Sequence, residues 1–186
     1  FSVIIPTYNC VSYLRRAIET CLDQGEGVAD VVVVDDGSTD STAEVLASFG
    51  ANPLLKVVRQ KNSGISAARN AGVAASSGDY LCFLDADDEL LDGAIQARRR
   101  VALAHPEIDF FFSDYLISNA PGTVRSAFSS LGGLPALHPW LASRDPGVAT
   151  LRGDFGPAYE KGLVSRAFVS TIAVTVKRSL FEKIGG

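Results

Sequence analysis

Four short apolar runs alternate with three segments of helical periodicity over the first 85 residues. The apolar runs predict strands at 1–6, 31–34, 54–59 and 80–84. The intervening segments predict helices at 11–24, from 38 or 40 to about 49, and at 64–76. Because strands and helices alternate, the sequence predicts an α/β fold with a mainly parallel sheet, right-handed crossovers and helices on both faces.

The second and fourth predicted strands end in carboxylates. The acidic residues that follow these strands are Asp35, Asp36, Asp85, Asp87 and Asp88. Open α/β sheets bind ligands at the carboxyl ends of their strands, so we expect these side chains at one edge. Together they would repel a diphosphate unless a cation lay between them. Carboxylate oxygens suit Mg²⁺ or Mn²⁺, which also take ligands from water and substrate phosphates, so the pattern predicts a bridging metal.

Each of these side chains also has a plain structural interpretation. Asp87 or Asp88 could cap a helix that begins near Leu90. Asp35 or Asp36 could be turn residues. Tyr8, just after the first predicted strand, could stack on a base or simply pack. Asp36 could instead accept a hydrogen bond from the imino group of a base.

The phosphates of a ligand would need protein groups other than a glycine-rich loop. The sequence contains neither the Gly-Xaa4-Gly-Lys-Ser/Thr pattern nor Gly-Xaa-Gly-Xaa2-Gly after its first strand. We therefore expect the metal and cations such as Arg69 or Lys61 to hold the phosphates.

Net charge and cysteine content restrict the partners and the compartment. A formal net charge of −4 argues against nucleic acid or an anionic membrane as a partner. The three cysteines lack metal-site spacing and predict free thiols in a reducing, cytoplasmic compartment. No run of 18 apolar residues and no signal peptide is present, so we expect no transmembrane segment. Attachment to the inner face of a membrane would need parts outside this chain.

The second half of the chain has a weaker pattern. We expect one domain of 186 residues. The basic cluster 98–100 is interpreted as a solvated helix face. Further expected elements are a helix from Leu90 to Ala104, a buried strand at 108–117, a short helix around Trp140, a strand at 169–176 and a short helix at 179–184.

Four motifs in the first 90 residues resemble a known family. They are SVIIPTYN at 2–9, VVDDGSTD at 33–40, NSGISAARNAG at 62–72 and FLDADD at 83–88. In this order they resemble the successive motifs of the family 2 glycosyltransferases, which have the Rossmann-like GT-A fold. The resemblance weakens over 105–165 and returns at 174–186, VTVKRSLFEKIGG. It implies a nucleotide-sugar-binding part at 1–104 and an acceptor-side part at 105–186, which we expect to be incomplete at its C-terminal end.

The resemblance implies a nucleotide-diphosphate sugar as donor, with a UDP-sugar expected. On the base side, Pro6 and Tyr8 would border a uracil-like ring and Asp36 would bind its imino edge. Asp35, its neighbour, belongs to the same expected substrate-binding set.

On the phosphate side, the resemblance implies that Arg69 lies near the nucleotide. Asp85, with Ala86 beside it, would face the ribose and the diphosphate. Asp87, in the DXD motif, would ligate Mn²⁺ or Mg²⁺.

The implied reaction is displacement at the anomeric carbon of the sugar, usually with inversion, in bacterial polysaccharide or surface-glycan synthesis. A carboxylate would deprotonate a saccharide or lipid-linked acceptor. In relatives that base follows the Gly-Gly ending, so we expect it beyond Gly186; Asp114 and Asp154 are acceptor-side alternatives.

An acidic edge of an α/β sheet is also found in proteins with two other functions. A phosphatase of the haloacid dehalogenase type needs an Asp where this chain has 6–9, Pro-Thr-Tyr-Asn. A non-catalytic nucleotide-sugar-binding domain remains open.

Overall fold

The alternation of strands and helices is observed in the computed structural model, which describes residues 1–113, 115–119, 123–126 and 171–185. The first strands are β1 (Ser2–Thr7), β2 (Asp30–Asp35), β3 (Leu55–Arg59) and β4 (Tyr80–Phe83). The helices among them are α1 (Val11–Leu22), α2 (Thr42–Ser48), α3 (Ile65–Ala75) and α4 (Ala94–Ala104). Later elements are β5 (Phe110–Phe112), β6 (Leu116–Asn119), β7 (Thr123–Ser126), β8 (Val174–Lys177) and α5 (Arg178–Lys183).

Six strands form a mainly parallel sheet in the order β3-β2-β1-β4-β8-β5. β1 pairs in parallel with β2 and β4, and β2 pairs in parallel with β3. β8 lies antiparallel to β4. The predicted α/β fold with a mainly parallel sheet is confirmed, and the antiparallel strand is an addition to it.

Helices cover both faces of the central strands. On one face, Ile4, Val32 and Val34 pack with Ala68 and Val73 of α3. Neighbouring strand residues point to opposite faces, so the equally buried residues between them point away from α3. α1 contacts β1 and β2 and covers that second face. Burial on both faces explains the unbroken apolar runs.

The first predicted strand ends at Pro6, because proline has no N–H to donate to the sheet. In the structure, however, Pro6 does not end β1. β1 continues to Thr7, with Pro6 opposite Val34. The Thr7 carbonyl accepts the N–H of Asp36 on the β2 side, whereas the Ile4 carbonyl accepts the N–H of Leu84 on the β4 side. Pro6, two residues after Ile4, therefore faces the β4 side, where pairing has already ended. The proline costs the ladder no hydrogen bond.

The predicted helix at 90–104 and the predicted solvated face at 98–100 are each confirmed only in part. The helix begins at Ala94, after Gly93 in a left-handed conformation at φ 76°, so neither Asp87 nor Asp88 is its N-cap. Arg98 is 7% exposed and therefore not part of a solvated face. Its neighbour Arg99 is exposed and pairs with Glu26 at 3.2 Å.

The predicted strand at 108–117 is confirmed only over Phe110–Phe112, which form β5, and Phe110 is 41% exposed rather than buried. The predicted strand at 169–176 is a 3₁₀ turn at Thr171–Ala173 followed by β8. The expected helix around Trp140, and Asp114 and Asp154, lie outside the described residues.

The chain divides into two compact units, one of Phe1–Phe111 with Val174–Gly186 and one of Phe112–Ala173. The second unit contains the antiparallel pair β6–β7. The division into 1–104 and 105–186 stays a prediction. All three cysteines are free thiols. Of the helices that the structure describes, none has the length and apolar character needed to cross a membrane.

Asp30 should stabilise the fold in a pH-dependent way. It is 1% exposed, and its Oδ2 accepts hydrogen bonds from Lys56 Nζ at 2.7 Å and from Ser77 Oγ at 2.6 Å. Burial by itself raises the pKa of Asp30, but hydrogen bonds from Lys56, Ser2 and Ser77 outweigh it and lower the pKa below 3.8. A carboxyl whose pKa is lowered by folding stabilises the native state above its unfolded pKa and loses that contribution as the pH falls.

We therefore expect Asp30→Asn to lower the free energy of unfolding by about 2 kcal/mol at pH 7. The difference from wild type should shrink as the pH falls through and below 3.8. Urea unfolding between pH 7 and pH 3 measures both effects, and Asp92→Asn, at an exposed position, is the matched control. A loss that is the same at every pH would contradict this account.

Candidate active site at the carboxyl edge of the sheet

The loops that follow β1, β2, β3 and β4 meet at one edge of the sheet, here called the carboxyl edge. They are residues 8–10, 36–41, 60–64 and 84–88. All four preceding strands are parallel, so these loops leave the sheet on the same side. The site residues predicted from sequence lie in these loops, at the end of a strand or in α3.

Asn9 joins the first two loops. Its backbone is in the left-handed region at φ 51°, which asparagine tolerates better than most residues. The Asn9 N–H donates to Ser38 Oγ at 3.0 Å, and Asn9 Oδ1 accepts the N–H of Thr39 at 2.8 Å. Tyr8, just before it, is 51% exposed, whereas Pro6 is buried. The Tyr8 side chain is therefore accessible at a rigidly held position.

Asp36 is 4% exposed and is held by the 60–64 loop. Its Oδ1 accepts hydrogen bonds from Gln60 Nε2 at 2.7 Å and the Ser63 N–H at 2.9 Å. Its Oδ2 accepts the Gly64 N–H at 2.8 Å. Burial favours the neutral acid, but these hydrogen bonds outweigh it, and the net pKa of Asp36 is lowered. Asp36 is therefore an ionised, fixed acceptor.

Asp35 has different partners from Asp36. Its carboxylate is buried, with Oδ2 3.3 Å from Arg59 Nε. Its Oδ1 accepts the N–H of Ser38 at 2.8 Å, a local turn bond. This geometry matches the alternative interpretation of Asp35 as a turn residue.

Arg69 and Asp85 form an ion pair. Arg69 Nη2 lies 2.8 Å from Asp85 Oδ1, and the two side chains are 20% and 35% exposed. Arg69 extends from α3 and Asp85 follows β4, so the pair links two elements at the carboxyl edge. The pair neutralises one carboxylate of the DXD motif and leaves its surface partly accessible.

The chain turns directly after Asp85, because the Asp88 N–H donates to the Asp85 carbonyl at 3.0 Å. Ala86 is buried in this turn and Asp87 is exposed. The pKa of Asp88 is raised by burial, and further by the negative charges of Asp87 and Asp85. The charge on Asp88 is therefore disfavoured by the two neighbouring carboxylates, and a cation at the turn would offset this effect.

A divalent metal fits this turn as a partner shared with a substrate. Within the described residues, no three His, Cys, Asp or Glu side chains converge as a complete metal site. Mg²⁺ at nucleotide sites commonly takes one or two carboxylates and completes its coordination with phosphates and water. Asp87, the exposed carboxylate of the DXD motif, suits that incomplete protein ligand set.

Comparison with known proteins assigns the chain to a family. The sequence profile described as "Glycosyl transferase family 2" matches residues 2–126. The chain belongs to this family. This confirms the resemblance stated from the four motifs.

The chain is similar to several named or structurally solved proteins. A chondroitin synthase of Pasteurella multocida is 38% identical over 96 residues, which is 51% of this chain and 10% of that protein. The crystal structure of S. aureus TarS 1-349 in complex with UDP-GlcNAc matches at a TM-score of 0.60 and 30% identity, covering 69% of this chain and 38% of that one.

A mannosyltransferase of Pyrobaculum calidifontis, PcManGT, solved with GDP-Man and Mn²⁺, matches at a TM-score of 0.64 and 20% identity over 100% of this chain and 46% of that one. At this identity the match supports the fold alone. The chain spans less than half the length of each of these three proteins.

Sequence reasoning missed two groups at the carboxyl edge. Gln60 and the backbone N–H groups of Ser63 and Gly64 hold Asp36, and Asn9 joins the first two loops. The asparagine lies in the first motif and Ser63 and Gly64 in the third, but a motif does not say which residue each side chain will contact. Lys61, predicted as a phosphate cation, is exposed in the same loop.

Proposed function

We propose that this chain is the donor-binding part of a metal-dependent glycosyltransferase that moves a sugar from a UDP-sugar to a hydroxyl acceptor. The acceptor would be a saccharide or a lipid-linked glycan, and transfer would invert the anomeric carbon. A cytoplasmic location is part of the same proposal and is supported by the three free thiols.

One observation carries the proposal: Asp36 is a buried, ionised acceptor beside an exposed tyrosine. The base ring would stack on Tyr8, whose side chain is 51% exposed. A uracil imino N–H would donate to Asp36. A buried carboxylate that stays charged at neutral pH suits a ligand that brings a hydrogen-bond donor.

The phosphate side of the proposal relies on the pair Arg69–Asp85 and on Asp87. Asp85 would face the ribose and the diphosphate, while Arg69 restrains it at 2.8 Å and supplies positive charge nearby. Asp87 would hold Mn²⁺ or Mg²⁺, and the bound cation would offset the charge of the departing nucleoside diphosphate. Lys61, exposed in the 60–64 loop whose other residues hold Asp36, would be a further cation.

The TarS complex supports the choice of donor. Its structure contains UDP-GlcNAc, and its sequence is 30% identical to this chain over the matched part. A related fold that binds a uridine nucleotide favours uracil over guanine as the base here. The sugar itself is left open by this argument.

Calorimetric titration tests the proposal. We expect UDP to bind in the presence of Mn²⁺, and GDP and dTDP to bind more weakly or not at all. Chelation with EDTA should weaken UDP binding by about 100-fold, because the metal offsets the repulsion between the diphosphate and the carboxylates of the site. Binding of none of the three nucleotides, or UDP binding that is unchanged in EDTA, would contradict the proposal.

A further inference from the structure

Gln60 donates a side-chain hydrogen bond to Asp36. It follows β3 directly, and its backbone N–H donates to the Asp35 carbonyl at 3.0 Å. This bond extends the β3 ladder by one residue and fixes the start of the 60–64 loop. From there the Gln60 amide reaches Asp36 Oδ1 at 2.7 Å. A short bond to a charged acceptor is stronger than one between neutral groups.

The hydrogen bonds to Asp36 from the described residues do not use all of its acceptor positions. A carboxylate has about four acceptor positions, two on each oxygen. Oδ1 receives Gln60 Nε2 and the Ser63 N–H, and Oδ2 receives the Gly64 N–H. Within the described residues, one acceptor position therefore remains open on Oδ2.

We propose that Gln60 is a positioning residue for base selection, which holds Asp36 so that its open acceptor position receives a ring N–H. Uracil offers such a donor at N3, whereas cytosine has an acceptor at the same ring position. Gln60 would thus act through Asp36 to favour UDP over CDP. This inference rests on the proposed function. It adds Gln60 to the residues of the site and a preference for UDP over CDP to the expected binding properties.

The side-chain donor is the part of this arrangement that substitution can remove. Without the Gln60 amide, Oδ1 would keep only the Ser63 N–H, and the carboxylate could rotate away from its present plane. A rotated carboxylate would no longer present its open acceptor position to the ring, so it would discriminate less between a base that donates there and one that accepts. Selectivity should therefore fall together with affinity.

The experiment is a titration of UDP and of CDP, both with Mn²⁺ at pH 7, into the wild type and into Gln60→Met. Methionine nearly matches glutamine in length and lacks the donor. We expect the affinity for UDP to fall about tenfold and the ratio of UDP to CDP affinity to fall by a similar factor. Gln60→Asn, one methylene shorter, should give the same direction of change and serves if the methionine variant folds poorly.

Gln96→Met is the matched control. Gln96 lies on α4 and its side-chain amide donates to the Gln24 carbonyl, so the substitution removes the same kind of donor outside the carboxyl edge. We expect both affinities to stay close to the wild-type values. Thermal unfolding of each variant establishes that the compared proteins are folded.

The outcomes separate this inference from the function on which it rests. Failure of the wild type to bind UDP would overturn the proposed function. Wild-type binding with an unchanged UDP-to-CDP ratio in Gln60→Met would overturn the role of Gln60 and leave the function standing. An equal loss of UDP and CDP affinity would mean general damage to the pocket, and it would likewise overturn base selection by Gln60.

Discussion

Replacement of Asp87 by alanine is expected to weaken Mn²⁺-dependent binding of UDP by about 100-fold, with little effect on binding in EDTA. Asp87 is the exposed carboxylate of the DXD motif, while Asp85 is restrained by Arg69 at 2.8 Å. Asp88, the third carboxylate of the turn, is half-buried, and burial is the first cause of its raised pKa. Asp87 therefore has the best access to a metal shared with a diphosphate.

Titration of UDP in Mn²⁺ and in EDTA measures this effect, and electron paramagnetic resonance of Mn²⁺ reports metal binding without any turnover. Glu89→Gln is the control. Glu89 is also an exposed acidic residue of this region, but its Oε2 pairs with Arg16 Nε at 3.2 Å. Exposed ion pairs contribute little to stability, so this variant should bind UDP and Mn²⁺ as the wild type does. Full Mn²⁺-dependent UDP binding by Asp87→Ala would place the metal elsewhere.

The central sheet could be predicted because its strands are buried on both faces. The run 31–34 has no polar interruption, and the helices on either side of it have their own periodicity. The order of elements then restricts the topology to a parallel sheet. Family membership, stated first from four motifs, was confirmed on the same residues.

The predictions that failed depend on neighbours that a local pattern does not contain. Pro6 is tolerated inside β1 because the pairing with β4 ends before it. The residues around Pro6 do not reveal how far the neighbouring strand extends. Arg98 has a polar sequence context, yet its helix turns it towards the interior. β8 pairs with β4 from 93 residues further along the chain, as in the contact of Cys82 with Thr175. Short strands such as β5 contain too few residues for sequence periodicity to predict where they begin and end.

The location of the candidate site could be predicted from the sequence, but most of its side-chain contacts could not. Carboxylates after two parallel strands indicated the edge at which they would meet. The sequence did not distinguish Asp35 from Asp36, although one pairs with Arg59 and the other receives the 60–64 loop. That difference arises because neighbouring residues point to opposite sides of the chain, and only the packing of α3 and its loop decides which side becomes the site.

Gly72→Ala is expected to lower the free energy of unfolding by about 2 kcal/mol. Gly72 lies inside α3, in the third motif, and its φ is not positive. An alanine in an exposed helix would stabilise by up to about 1 kcal/mol relative to glycine. Here a Cβ would overlap Ile4 Cγ2 and lie 3.2 Å from Val34 Cγ2, both fully buried. The glycine is thus required by the close approach of α3 to the sheet.

Urea unfolding measures the change in the free energy of unfolding. A decrease indicates that crowding against the sheet dominates, whereas an increase indicates that helix propensity does. Ala74→Gly, at an exposed position of the same helix, calibrates the propensity and should destabilise by about 0.5–1 kcal/mol. Ile4→Ala removes the atom that the new methyl group would meet, so the double variant should be less destabilised than the sum of the single ones. A stabilising Gly72→Ala, or strict additivity with Ile4→Ala, would mean that α3 can move off the sheet at little cost. Because Arg69 lies one turn before Gly72 on α3, such freedom would also loosen the hold of Arg69 on Asp85.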